Sequence, residues 1–160
     1  MSSALIAFDT YWKIPSSCPT AIEGEWIEAP GYALFDELFR QYPDIKIIAE
    51  DLGTLPPVTE KLLEDAGYPG MKVLQYAFDW TEYSYYLPYN HIKNCVVYTG
   101  THDNTTTRAW IEEISDHDRD LARRYIHSEN TDYGTFVWDF IREAYRSVSD
   151  LCIIPLQDYL

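Results

Sequence analysis

Cys95-Val96-Val97-Tyr98-Thr99-Gly100-Thr101-His102-Asp103-Asn104 joins an apolar segment to a polar one without a break. An apolar run of four runs straight into a glycine turn crowded with polar side chains. A short apolar run of this kind fits a buried strand. Three comparable runs lie on either side of it. Ile45-Lys46-Ile47-Ile48-Ala49 stops at the polar turn Glu50-Asp51-Leu52-Gly53, Met71-Lys72-Val73-Leu74-Gln75-Tyr76-Ala77-Phe78 comes next, and Leu151-Cys152-Ile153-Ile154-Pro155-Leu156 stands near the end.

Helical patterns alternate with these runs. Leu34-Phe35 and Leu38-Phe39 recur at helical spacing and end near Pro43. Pro56-Pro57 can open a helix, Val58, Leu62 and Leu63 mark one face of it, and Gly67 is placed to cap its end. A tyrosine-rich loop is expected over 79–94. A polar helix follows through Trp110 and Ile111, then helices near 119–128 and 134–147. In the last, Phe136, Val137, Phe140, Ile141, Ala144 and Tyr145 share one face.

Strands alternating with helices predict an α/β protein. Four βα units amount to half of an eight-stranded barrel, which as a whole needs about 250 residues. A small open α/β sheet fits the same periodicity. The chain has 160 residues, enough for one ordinary domain but not for a complete barrel.

Net charge is −14, a field that repels phosphate backbones and argues against nucleic acid as a partner. Aromatic residues make up 16%, which suits sugar-binding surfaces and equally suits a core of Tyr and Trp with polar ends. Cys18, Cys95 and Cys152 are odd in number and widely spaced, against a disulfide framework or a cysteine zinc site. They predict a reducing, cytoplasmic setting. No run approaches the roughly 20 apolar residues of a spanning helix, so no membrane association is expected.

The polar clusters Glu50-Asp51 and His102-Asp103-Asn104 stand at the ends of two strand-like runs. In barrels that end faces the active site. A Glu from one strand end and an Asp from another can supply two-carboxylate glycoside chemistry. The competing reading makes them helix caps: Glu50 or Asp51 for the helix after Gly53, Asp103 for the helix toward Trp110. His91, His117 and His127 make no close ligand spacing with His102, and no metal is expected. Neither a glycine-rich phosphate loop nor a nucleophile-elbow serine is present.

Several stretches resemble amylomaltases, the 4-α-glucanotransferases of glycoside hydrolase family 77. They are Ile47-Ile48-Ala49-Glu50-Asp51-Leu52-Gly53, the segment from Tyr68-Pro69-Gly70 through Phe78, Val96 through Asn104, and Ile154-Pro155-Leu156-Gln157-Asp158. Ala7-Phe8-Asp9-Thr10-Tyr11-Trp12-Lys13-Ile14-Pro15 with Thr20-Ala21-Ile22 is similar as well. The matches fall in order over nearly the whole chain. The resemblance implies a partial (β/α)8 TIM barrel holding about strands 5–8 with their helices, one partial catalytic domain over residues 1–160.

By position, Glu50 is then the general acid/base at the end of strand five. Asp103, at the end of strand seven, is the carboxylate that binds substrate hydroxyls and stabilises the oxocarbenium-like transition state. His102, Asp51 and Asn104 are expected to touch substrate, and Tyr11 and Trp110 to line or stack on it or to be buried in packing. The implied reaction is retaining transfer of α-1,4-glucan segments between maltooligosaccharides, without a cofactor.

One part of the pattern departs from the family. An Arg-Ile-Asp-His-Phe-Arg-like motif with the nucleophilic aspartate should stand before Ala7, and a gap-free alignment puts Ser3 in the aspartate's place. Residues 1–6 do not resemble the family, and Asp9 aligns after the motif. The expectation is therefore a chain with little transfer activity of its own, and with exposed sheet edges that favour self-association. A non-catalytic glucan-binding module and a nonfunctional remnant are the alternatives.

Overall fold

The structure is a computed structural model, and it describes residues 9–20, 22–53, 55–79 and 83–160. Ser3 and the rest of 1–8, Ala21, and Trp80 to Glu82 of the tyrosine-rich loop lie outside the described residues. The chain divides into two compact units, Met1–Gly70 and Met71–Leu160.

In the first unit, β1 (Thr10–Lys13) and β2 (Glu25–Glu28) form an antiparallel hairpin in which Trp12 faces Trp26. The two rings meet edge to face at 5.3 Å between centroids, a cross-strand aromatic contact of the kind that stabilises small sheets. Helix α1 (Gly31–Gln41) packs against α2 (Pro57–Ala66). Their shared core holds Phe35, Ala49, Leu62 and Tyr68, with Leu38, Phe39 and Leu63 against it. Helix α2 starts at Pro57 and ends on Gly67, which takes φ 68° and donates its N–H to the carbonyls of Leu63 and Glu64. Val58, expected on the buried face, is half-exposed in the first turn.

The apolar run 45–49 is not a strand. Ile45 and Ile48 are 37% and 41% exposed, and only Ala49 is buried. The Ala49 N–H donates to the Pro69 carbonyl at 2.9 Å. Proline accepts there but has no N–H with which to extend a ladder.

The second unit is built on a three-stranded sheet in the order β3 (Gly70–Val73), β4 (Cys95–Tyr98), β5 (Leu151–Ile153). β4 and β5 run parallel, with Val96 opposite Leu151 and Tyr98 opposite Ile153. The expected strand 71–78 stops at Val73. A 3-10 turn (Leu74–Tyr76) swings the chain so that Leu74, Ala77 and Phe78 enter the core. Burial contributes roughly 1.5–3 kcal/mol for each large side chain, and the Gln75 N–H still donates to the Thr99 carbonyl at 3.1 Å.

Helices α3 (Thr107–Glu113), α4 (Asp116–Tyr125) and α5 (Tyr133–Arg146) each begin on a side-chain cap. Thr106, Ser115 and Asp132 accept from the amides of Ala109, Asp118 and Thr135, satisfying donors that a helix start leaves open. These caps move the starts of the last two helices ahead of the expected ones. Phe136, Val137, Phe140, Ile141 and Ala144 carry α5 into the core as expected, while Tyr145 is 61% exposed.

Candidate active site

The candidate residues fall in two turns, one in each unit. In the first unit burial changes from residue to residue past the run 45–49: Ala49 is buried, Glu50 exposed, Asp51 and Leu52 buried. Gly53 then reverses the chain at φ 93°, a value L-residues rarely adopt. The buried Asp51 carboxylate lies against Gly70, and a Cβ built on Gly70 would overlap it. Asp51 is thus anchored inward while Glu50 projects outward. Neither caps α2, whose N-cap position is Pro56 without a side-chain cap. The capping alternative fails for both. Tyr11 stands on the β1 hairpin, 44% exposed and opposite Ile27.

The second turn follows β4. Thr99 is fully buried, Gly100 is buried, and His102 and Asp103 form the exposed tip, with side chains 89% and 62% accessible. His102 Nε2 lies 3.3 Å from Asp103 Oδ1. The turn is closed by Asn104, whose Oδ1 accepts from the Thr101 N–H at 2.9 Å and the Thr101 hydroxyl at 2.8 Å. Asn104 Nδ2 donates to the Tyr76 hydroxyl at 3.1 Å. Its amide is occupied in holding the tip in shape. Asp103 does not cap α3, because Thr106 does. The competing reading is removed here as well.

Around the base of this turn lies a buried polar set that sequence reasoning did not single out. Gln75 Nε2 donates to the Thr105 carbonyl at 3.1 Å and to the Thr107 hydroxyl at 3.3 Å. A Cβ on Gly100 would stand 2.5 Å from that nitrogen, so glycine is what admits Gln75. Asp158 accepts from the hydroxyls of Thr99 at 2.6 Å and Thr107 at 2.7 Å, and from the Thr107 N–H at 2.8 Å. The motifs Leu74-Gln75-Tyr76 and Leu156-Gln157-Asp158 contained the signal, since polar residues inside apolar runs are costly to bury without partners.

Trp110, from α3, meets Phe140 edge to face at 5.3 Å and is packed on the core. The ring is partly buried there. Tyr98, at the end of β4, has its hydroxyl pKa pushed up by burial. Among the described residues no group of three or more His, Cys, Asp or Glu side chains gathers in a way that could hold a metal ion. Among them, too, no helix is long and apolar enough to cross a membrane.

Each turn therefore presents one outward acidic side chain on a backbone that burial and hydrogen bonds hold fixed. Such a group can transfer a proton or bind hydroxyls without first being ordered.

The profile of the 4-alpha-glucanotransferase family matches residues 5–160. The 4-alpha-glucanotransferase of Thermus thermophilus is 41% identical over 162 residues, covering 96% of this chain and 32% of that protein. The chloroplastic/amyloplastic 4-alpha-glucanotransferase of Arabidopsis thaliana is 39% identical over 153 residues, covering 96% of this chain and 26% of that one. The amylomaltase from Streptococcus agalactiae, solved in complex with acarbose, superimposes with a TM-score of 0.84 at 33% identity, over 97% of this chain and 31% of that chain. This chain spans about a quarter to a third of the length of these relatives.

Proposed function

Since the chain belongs to the 4-alpha-glucanotransferase family, we propose that it carries part of the site for retaining transfer of α-1,4-glucan segments between maltooligosaccharides. The observation that supports this most is the pair of outward carboxylates, Glu50 and Asp103, at the two turns where the family motifs lie, neither of them used as a helix cap.

Glu50 in its acid form gives a proton to the glycosidic oxygen as the bond to the anomeric carbon breaks. A carboxylate nucleophile takes that carbon, forming a glycosyl ester, and the shortened glucan leaves. The 4-hydroxyl of a second glucan then attacks the ester, Glu50 removes its proton, and the nucleophile is regenerated. Asp103 holds ring hydroxyls and offsets the positive charge that develops on the sugar in both steps. His102 lies beside Asp103 to contact the same sugar. No cofactor enters this chemistry.

The nucleophile must come within about 5–5.5 Å of the acid/base carboxyl. Among these 160 residues the aligned position holds Ser3, a poor nucleophile without an adjacent base. The 160 residues by themselves are therefore proposed to transfer little or no glucan. The run 45–49 and strands β3, β4 and β5 are assigned to strands five to eight of a (β/α)8 barrel. β5 is an edge of the described sheet, with Leu151 and Ile153 half-exposed, and self-association through it is part of the proposal. Free Cys18, Cys95 and Cys152 support a reducing compartment such as the cytoplasm.

The test uses maltotriose and chromatography of the products. The isolated chain is expected to release no glucose. Fused in place of the matching segment of the Thermus thermophilus relative, it is expected to yield glucose and longer maltooligosaccharides, lost on Glu50→Gln and on Asp103→Asn. A folded fusion without products, or products indifferent to both substitutions, overturns the reading. Glucan binding without turnover in the fusion would favour the non-catalytic module.

A further inference from the structure

The segment from Thr99 to Thr107 leaves the sheet, forms the His102-Asp103 tip, and returns to start α3. Its two ends are gathered on one side chain that lies far away in sequence. Asp158 is 6% exposed. It sits in a 3-10 turn (Leu156–Asp158) directly after β5. One of its oxygens accepts both threonine hydroxyls, and the other accepts the Thr107 amide. Thr99 and Thr107 are themselves fully buried, so water does not compete for these bonds. Gln75 and Asn104 brace the middle of the segment from inside.

We propose that Asp158 is a positioning residue for Asp103. By tying the start and the end of the loop to one buried carboxylate, it fixes the span that the tip must bridge, and so the direction in which Asp103 meets the sugar. This rests on the assignment of Asp103 as the carboxylate that stabilises the transition state. Asp158 touches no substrate and moves no proton. Its action is through geometry, where displacement by about 1 Å can cost on the order of a hundredfold in rate.

Two readouts separate the tie from the catalytic assignment. The first is amide hydrogen exchange, followed by NMR on the 160-residue chain. Asp158→Ala is expected to speed exchange at Thr107 and across 101–105 at least tenfold, with Phe140 and Ile141 of α5 unchanged. Asp158→Asn, which keeps one acceptor oxygen, is expected to fall between, and Thr99→Val to loosen the loop less than Asp158→Ala. The second is transfer by the fusion described above. Asp158→Ala is expected to lower kcat about 10- to 100-fold with KM for maltotriose within about threefold, and Asp158→Asn to recover most of it. Unchanged loop exchange in Asp158→Ala, or α5 amides opening together with the loop, overturns the proposal. So does a rise in KM at constant kcat, or an Asp158→Asn variant no better than alanine. A wild-type fusion that makes no product defeats the reading of Asp103 instead, while the exchange data still decide whether Asp158 holds the loop.

Discussion

The Asp51 carboxylate fills the space that a side chain at position 70 would occupy, and a Cβ built on Gly70 overlaps it. Asp51 is buried at 8% exposure, so it has little room to withdraw. The pairing of a buried acid with a glycine 19 positions along the chain (70 − 51) sets how the Glu50 turn is seated.

Gly70→Ala is accordingly expected to destabilise the chain by about 1–3 kcal/mol, the usual range for overpacking. Urea unfolding measures it. Asp51→Ser removes the obstructing carboxylate, so in the double variant the cost of Gly70→Ala should shrink, with a coupling of at least about 0.5 kcal/mol. Strict additivity would count against the contact.

Gly67 provides the opposite situation. It takes φ 68°, yet a Cβ there would meet nothing within 4 Å. Only backbone strain opposes a side chain, so Gly67→Ala should cost roughly 1–2 kcal/mol. Gly67→Asn should cost less, because asparagine tolerates the left-handed region better. Chemical denaturation of the two variants side by side decides it, and equal losses would point to a steric cause instead.

His91 gives a pH dependence with a definite sign. Burial pushes its pKa down, the hydrogen bond to the Tyr86 carbonyl opposes this, and the nearby Lys72 charge adds to the lowering. Below the ordinary histidine value of about 6.5, the unfolded chain takes up the proton more readily than the folded one. Stability is therefore held above that value and falls as pH drops toward the folded-state pKa. Tm measured between pH 7.5 and 5 should fall less steeply in His91→Gln than in the parent, and parallel curves would refute the assignment.

Asp139 behaves as a carboxylate held by its neighbours. Burial pushes its pKa up, but hydrogen bonds from Ser128 and Asn130, at 2.5 Å each, and from Arg142 outweigh that and hold it below the ordinary range. Its stabilisation is present above the ordinary aspartate value of about 3.9 and is lost as pH falls through the lower folded value. Asp139→Ala should cost about 1–3 kcal/mol near neutral pH by leaving donors unmatched. The gap from the parent should close in acid, and urea titrations at pH 7 and pH 3 test both statements.

The helices were legible in the residues because their signals are local. The face of α5 from Phe136 to Ala144, the proline start of α2 and its glycine end all lie within a few turns of chain. The caps Thr106, Ser115 and Asp132 obey the same local chemistry, and Ser115 and Asp132 mark the starts of α4 and α5. Strand β4 was equally plain, an uninterrupted apolar run buried on both sides.

The run 45–49 shows where such reading stops. Its composition is that of a buried strand, but Ile45 and Ile48 remain 37% and 41% exposed. Only Ala49 is buried, with its N–H on the carbonyl of Pro69. In the same way Leu74 continues an apolar run yet leaves the sheet, because a core lies to one side of it.

The candidate site divides along the same line. The residue order by itself determined which carboxylates stand in family motifs, Glu50 and Asp103, because a motif is a property of neighbours in sequence. Tertiary structure alone decided that Glu50 is exposed while Asp51 is sealed against Gly70, and that Trp110 meets Phe140. It alone brought Asp158 to Thr99 and Thr107, 59 and 51 residues away. Contacts across such separations depend on where folding puts whole elements, and the buried hydrogen bonds that result leave no periodicity or spacing in the chain.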